Sequence, residues 1–361
     1  MCRLAVFGWL TLVAWGLSVV ASTPTHAARP DDPVLDRPVP KPQPATPRRA
    51  TPPVPVVGVT TVNPASAQAA RLKRIGAVRS WGYQLVSLKI EEAASAPFDL
   101  LIVDATTGHA DGRAFTADEI KRLKRKPDGS PRMVVSYVSI GEAEDYRPDY
   151  FAAEYLTEDA PDWLAAENPQ WKGNRVVRFC HEGWQRTILG DDQGRNVYNS
   201  IDPSPLYRLI ELGFDGIYLD RVDVYSEVRK DCPDGEKKMV DFVARLGAHA
   251  RKRDPGFLVI LQNAEELVRH PRMMDTIDAI AKEDLFYGAD HSQNANPVKV
   301  VGEALGHLKA VKAAGRPVLV IDYVLSGSKK ADVRKRIEEH GFIPYIGPRD
   351  LGRLWLPGRD F

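Results

Sequence analysis

Residues 213–220 read Gly213-Phe214-Asp215-Gly216-Ile217-Tyr218-Leu219-Asp220, a short apolar run at 216–219 whose end is marked by a carboxylate. The same design recurs on both sides of it. Apolar, β-branched runs of strand length fall at 81–85, 100–103, 133–138, 175–179, 257–261, 277–281, 318–321 and 342–346. Amphipathic stretches of helical spacing lie between them, at 116–126, 203–212, 236–253 and 296–314. Strands alternating with helices predict βαβ units and a parallel sheet. Nine runs compete for the eight places of a (β/α)8 TIM barrel, and the short run at 175–179 is the one expected to fall outside it as an insertion.

The residues at the ends of these runs point to function. Asp104 closes the run at 100–103, Glu142 succeeds the third, Asp220 the central one, Gln262 and Asn263 the next, and Glu283 and Asp322 come after those at 277–281 and 318–321. In a parallel barrel all of these ends open on one face, where active sites lie. A single carboxylate at a strand end is most often a helix cap or a structural acceptor. Five in register favour a site. Two carboxyl groups across a scissile bond are needed for glycoside hydrolysis, one to attack or activate water and one to protonate the leaving oxygen. Trp81, Tyr83, Tyr137, Tyr146, Tyr218, Tyr225, Tyr287 and Tyr323 lie in or just after the runs, although core packing accounts for any one of them alone. A negatively charged mouth on a nearly neutral chain favours a cationic ligand, such as an amino sugar.

The 361 residues carry 49 basic and 48 acidic side chains, without the basic excess of a dedicated nucleic-acid binder. Arg3 leading into an uncharged apolar run at 4–20 and small residues up to Ala28 reads as a secretory signal peptide over 1–28; a retained membrane anchor is the alternative. Twelve of the 28 prolines fall between Pro24 and Pro64, which predicts a Pro-rich, disordered linker over 29–70 and a catalytic barrel over 71–361. Export leaves Cys180 and Cys232, which could close one disulfide or remain two separate thiols. The eight histidines show no metal-ligand spacing, so no metal is expected, with an all-carboxylate magnesium site as the remaining option. The glycines of 190–195 lack the lysine of a phosphate cradle, and no cofactor is expected.

The segments Tyr137-Val138-Ser139-Ile140-Gly141-Glu142-Ala143-Glu144-Asp145-Tyr146-Arg147, Pro161-Asp162-Trp163-Leu164, Glu167-Asn168, Trp171-Lys172-Gly173-Asn174 and Gly213 to Asp220 together resemble glycoside hydrolase family 114. Gln262-Asn263 and Lys282-Glu283-Asp284-Leu285 continue the pattern. The resemblance implies a (β/α)8 endo-α-1,4-polygalactosaminidase, with Asp220 at the nucleophile position and Glu283 at the acid/base position. Glu265 and Glu266 are rivals for the second role. A retaining mechanism is implied for such a pair if the carboxyls stand about 5 to 5.5 Å apart.

Substrate-binding roles are expected for Asp104, Glu142 and Asp322 toward amino or hydroxyl groups. Asn263 is expected to bind a hydroxyl next to the anomeric centre, and Asp223 to bind substrate or orient Asp220. Trp81, Tyr137 and Tyr218 are expected to contribute aromatic surface. The expected partner is a cationic amino-sugar polymer, met outside the cytoplasm by a secreted or envelope-associated monomer, with no nucleic acid and no membrane span after signal cleavage. The alternative is a non-catalytic glycan-binding module on the same barrel.

Overall fold

The computed structural model describes residues 63–108, 113–147, 151, 160–195 and 203–360. The expected signal peptide and most of the expected linker lie outside these residues. In chain order the elements are α1 (Pro64–Ile75), β1 (Trp81–Gln84), α2 (Ile90–Ser95), β2 (Leu100–Val103), α3 (Ala117–Leu123) and β3 (Met133–Ser139). An excursion comes next, with β4 (Glu142–Glu144), β5 (Leu164–Glu167), β6 (Asn174–Val177), α4 (Glu182–Leu189) and α5 (Pro205–Leu212). The chain then resumes with β7 (Gly216–Asp220), α6 (Gly235–Arg253), β8 (Leu258–Gln262), α7 (Pro271–Thr276) and β9 (Ala279–Glu283). It ends with α8 (Val298–Ala313), β10 (Val318–Asp322), α9 (Gly327–Glu339) and β11 (Ile343–Ile346).

Eight strands pair in parallel in the order β1-β2-β3-β7-β8-β9-β10-β11, and the sheet curls into a nearly closed (β/α)8 barrel. Side-chain bonds link its first and last strands. Trp81 Nε1 donates to the Ile343 carbonyl at 3.0 Å, and the Tyr345 hydroxyl donates to the Tyr83 carbonyl at 3.3 Å. The run at 175–179 falls outside the barrel as expected. It forms β6, the middle strand of a small antiparallel sheet ordered β4-β6-β5. Cys180, just past β6, is paired with Cys232 in the segment after β7.

Each residue that leads into β7 has a physical reason to be there. Gly213, at φ +84°, ends α5 in a left-handed turn that glycine adopts without a Cβ penalty. Asp215 accepts from the Val134 amide at 2.8 Å and receives Lys124 at 3.1 Å, fixing β7 against β3. A Cβ on Gly216 would strike the backbone of Leu258, so glycine is what lets β8 approach. Ile217, Tyr218, Leu219 and Asp220 are all buried, as strands covered on both faces must be.

Carboxylates also serve the opposite end of the barrel. Asp99 and Asp278 each accept a backbone amide from the neighbouring strand's entry, from Ser80 at 3.1 Å and Val259 at 2.9 Å. Asp278 further binds Arg71 at 3.0 Å and Arg251 at 2.6 Å. Arg71 belongs to α1, which starts at Pro64 with Asn63 as its cap. The expected linker therefore ends earlier than residue 70, because residues 64–70 form part of the helix that seals the barrel base. Among the described residues no helix is long and apolar enough to cross a membrane.

Candidate active site

Side-chain parity decides which strand-end residues face the barrel axis. Ser139 and Asp220 are register partners on β3 and β7, as are Tyr137 and Tyr218 one layer below. Glu283 on β9 is level with Ile321 on β10, and Gln262 on β8 with Ala281 on β9. Partners in register point to the same face, so Tyr137, Tyr218, Asp220, Gln262, Glu283 and Tyr323 converge inside.

Asp220 and Glu283 close β7 and β9, with only β8 between them. Both are buried, at 5% and 0% exposure. Asp220 accepts from the Tyr137 hydroxyl at 2.6 Å and from the Arg221 amide at 2.7 Å. Glu283 accepts from the Tyr323 hydroxyl and from Asn263 Nδ2 at 3.3 Å, while its own amide donates to Asn263 Oδ1 at 3.1 Å. Burial pushes both carboxyls above their ordinary range, and the charge of Glu283 pushes Asp220 up further. Burial thus favours the protonated form of each carboxyl. Burial also raises Tyr83, Tyr137, Tyr218 and Tyr323 well above the usual phenol range, so all four remain protonated.

The Tyr83 and Tyr218 hydroxyls are buried with no hydrogen-bond partner among the described residues. The two tyrosine rings pack 5.3 Å apart, and both hydroxyls feel the charges of Asp220 and Glu283. Unsatisfied buried polar atoms are costly, and their position beside the two carboxyls marks the axis as a place built for polar contacts.

The backbone turns sharply at the same place. Arg221, Asn263, Ala264 and Asp284 come just after the ends of β7, β8 and β9, and all have positive φ between 48° and 57°. For residues other than glycine and asparagine this conformation is strained, and such strain concentrates at functional sites. Ion pairs made by the buried arginines Arg221 and Arg349 hold it. Arg221 binds Glu142 at 2.9 Å, Glu227 at 2.8 Å and Asp223 at 3.4 Å, and Asp284 binds Arg349 at 2.7 Å.

Three residues expected to bind substrate are buried and have partners within the framework. Trp81 starts β1, so it lies in the barrel core, against Tyr345 and bonded to Ile343, instead of walling the mouth. Glu142 has both oxygens engaged, by Arg221, Asn168 and Asn174, and ties β4 and β6 to the end of β7. Asp322 has the opposite parity to Tyr323, so it points away from the axis and accepts the Phe286 amide at 3.0 Å. Burial raises its carboxyl to about 7.

The other expected residues border the carboxyls. Asp104 pairs with Arg147 through one oxygen, and its Oδ2 is buried without a partner among the described residues. Asp223 is partly exposed and adds its charge to the field at Asp220. Both ends of the amide of Asn263, expected to bind a sugar hydroxyl, engage Glu283. Of the rival acids, Glu265 binds Lys282 at 3.1 Å and Glu266 accepts from Tyr225. Two residues that sequence reasoning passed over, Arg147 and Arg349, lie over the rings of Tyr137 and Tyr323. The need of buried Asp104 and Asp284 for cationic partners was the one available signal. Among the described residues no group of three or more His, Cys, Asp or Glu side chains could hold a metal ion.

Comparison with known proteins gives the same frame. The model of glycoside hydrolase family GH114 matches residues 61–357. An uncharacterized protein of Methanocaldococcus jannaschii is 32% identical over 295 residues, covering 76% of this chain and 79% of that protein. An uncharacterized protein of Deinococcus radiodurans is 32% identical over 286 residues, covering 78% and 84%. Among solved structures, the glycoside hydrolase domain of PelA from Pseudomonas aeruginosa superposes with a TM-score of 0.57 at 19% identity, over 76% of this chain and 97% of that one. Aspergillus fumigatus Ega3, solved in complex with galactosamine, gives 0.55 at 17% identity over 78% and 95%.

Proposed function

This chain belongs to glycoside hydrolase family GH114, and we propose that it cleaves α-1,4-linked galactosamine polysaccharide, within the chain and with retention, after export from the cytoplasm. The observation that carries the reading is the convergence of Asp220 and Glu283, two inward carboxyls separated by one strand, each held by a tyrosine hydroxyl and sharing a site. Ega3 was solved with galactosamine, which supports an amino sugar as the ligand class. The acidic neighbours of the mouth, Asp223 among them, suit a cationic polymer.

In the first step the Asp220 carboxylate attacks the anomeric carbon as the glycosidic bond breaks. The bonding electrons pass to the leaving oxygen, which takes the proton of Glu283. In the second step the Glu283 carboxylate removes a proton from water, and the oxygen of that water displaces Asp220 from the same carbon. One proton between two buried carboxyls is the starting condition of this cycle. Tyr137 and the Arg221 amide stabilise the charge on Asp220, and Asn263 and Tyr323 orient Glu283. Asp104 and the unpartnered hydroxyls of Tyr83 and Tyr218 are assigned to polar contacts below and beside the sugar.

The test is incubation of the protein with de-N-acetylated α-1,4-galactosamine polymer. New reducing ends and oligosaccharides of intermediate length are expected, with the α-anomer formed first by NMR. Binding without products would replace the enzyme with a glycan-binding module, and a β-anomer formed first would replace retention with inversion.

A further inference from the structure

Behind each of the two inward carboxyls lies the same arrangement of side chains. On one side Tyr323 donates to Glu283, and the guanidinium carbon of Arg349 lies 4.3 Å from the centre of the Tyr323 ring. Arg349 Nη2 reaches both oxygens of Asp284 at 2.7 Å. On the other side Tyr137 donates to Asp220, and the guanidinium carbon of Arg147 lies 5.0 Å from the Tyr137 ring centre. Arg147 is paired with Asp104 and Glu144. Neither arginine belongs to a barrel strand. Arg147 comes after β4 and Arg349 after β11, yet both are buried, at 4% and 8% exposure.

A guanidinium is suited to this place because its plane can cover an aromatic face while its edge binds a carboxylate. A tyrosine hydroxyl can swing with its ring, and a ring fixed on one face cannot. We propose that Arg349 is a positioning residue for Glu283: anchored by Asp284, it holds the Tyr323 ring so that the hydroxyl stays aimed at the carboxyl, as Arg147 does for Asp220 through Tyr137. The proposal rests on the roles assigned to Asp220 and Glu283 above.

Several charged and titratable groups face Glu283. They are Tyr83 from β1, Tyr218 and Asp220 from β7, Asp284 beside it, Tyr323 from the end of β10 and Arg349. Arg349 is the cation among the groups that set its proton affinity, and it favours the ionised form. Removing that cation, or the Tyr323 hydroxyl, therefore strengthens the hold of Glu283 on its proton. The acid must be protonated to act, so the alkaline limb of the pH profile moves upward.

The experiment measures kcat and KM from pH 4 to 10 on galactosamine polymer for the wild type, Arg349→Met, Arg349→Lys and Tyr323→Phe. In Arg349→Met and Tyr323→Phe the alkaline limb is expected to rise by roughly one pH unit. The expected loss in kcat is about tenfold to a hundredfold, with KM within about twofold, because both groups act through Glu283. In Arg349→Lys the thermal midpoint should recover while kcat stays at least about tenfold low, since an ammonium does not replace the planar cover. Tyr323→Phe keeps the ring and the ion pair intact, so it decides the matter even if Arg349→Met does not fold. An active wild type with wild-type kcat and limb in Tyr323→Phe, or with full kcat in Arg349→Lys, overturns this inference alone. A wild type without turnover overturns the proposed function and this inference with it.

Discussion

Asp322→Asn isolates one buried carboxyl whose charge the fold opposes. Asp322 is fully buried, accepts the Phe286 amide, and has its carboxyl pushed up to about 7 by burial, against the pull of that backbone bond. In the unfolded chain the same group ionises near its ordinary value of 3.8. Between these two values the folded protein binds a proton that the unfolded chain has released, so folding stability falls as pH rises. It is unaffected by this group below about pH 4 and reaches its lowest level above about pH 7. A rise of that size corresponds to roughly 4 kcal/mol, an upper figure since any local opening would relieve it. The asparagine amide of the variant keeps an acceptor for the Phe286 N–H and removes the titration.

The assay is urea unfolding of both proteins from pH 4 to 8. Asp220, Glu283 and Asp104 are raised without help from Asp322 and act alike on the two curves, while Asp284 is raised in part by the charge of Asp322, so the difference between the curves reports on Asp322 together with its effect on Asp284. That difference should grow in favour of the variant by about 1.4 kcal/mol per pH unit and level off near pH 7. Two curves that stay parallel across the range would mean that Asp322 ionises at its ordinary pKa in the folded protein, and that burial does not govern its charge.

Replacing Cys180 and Cys232 by serine opens a loop of 52 residues, and chain-entropy arguments put the loss of stability at about 4 kcal/mol, measurable by denaturant unfolding. Gly216→Ala forces a methyl into the Leu258 backbone, which cannot swing aside as a side chain could; a loss of about 2 to 3 kcal/mol is expected by the same assay. Arg221→Met leaves Glu142 buried without its cation and releases Asp223 and Glu227. Thermal unfolding should show a loss of about 3 to 5 kcal/mol.

The barrel is legible in the sequence because its strands are buried on both faces. Leu100-Leu101-Ile102-Val103 is a four-residue apolar run with no exposed side chain, and such runs stand out from the amphipathic helices between them. The small sheet leaves a weaker trace. β5, Leu164-Ala165-Ala166-Glu167, is half exposed and short, and β4 consists of Glu142-Ala143-Glu144, whose acids are buried only because partners outside the strand satisfy them. The run at 175–179 has enough apolar character to be noticed but cannot show that its pairing is antiparallel. Asp220 and Glu283 emerge from strand ends combined with parity and resemblance. Position at a strand end, used without parity, does not separate Asp322, which points away from the axis, from its neighbour Tyr323, which faces inward. Arg147 and Arg349 come from loops, where no periodicity fixes direction. Their place over the two tyrosines depends on contacts made only after the chain has folded.

The central claim, that Asp220 and Glu283 cooperate on a single sugar ring, is tested most directly by reducing-end release from de-N-acetylated α-1,4-galactosamine polymer in the wild type, Asp220→Asn and Glu283→Gln. Release by the wild type is expected, with a loss of about a thousandfold or more in each variant while both remain folded and still bind the polymer. Release at the wild-type rate by either folded variant would contradict it.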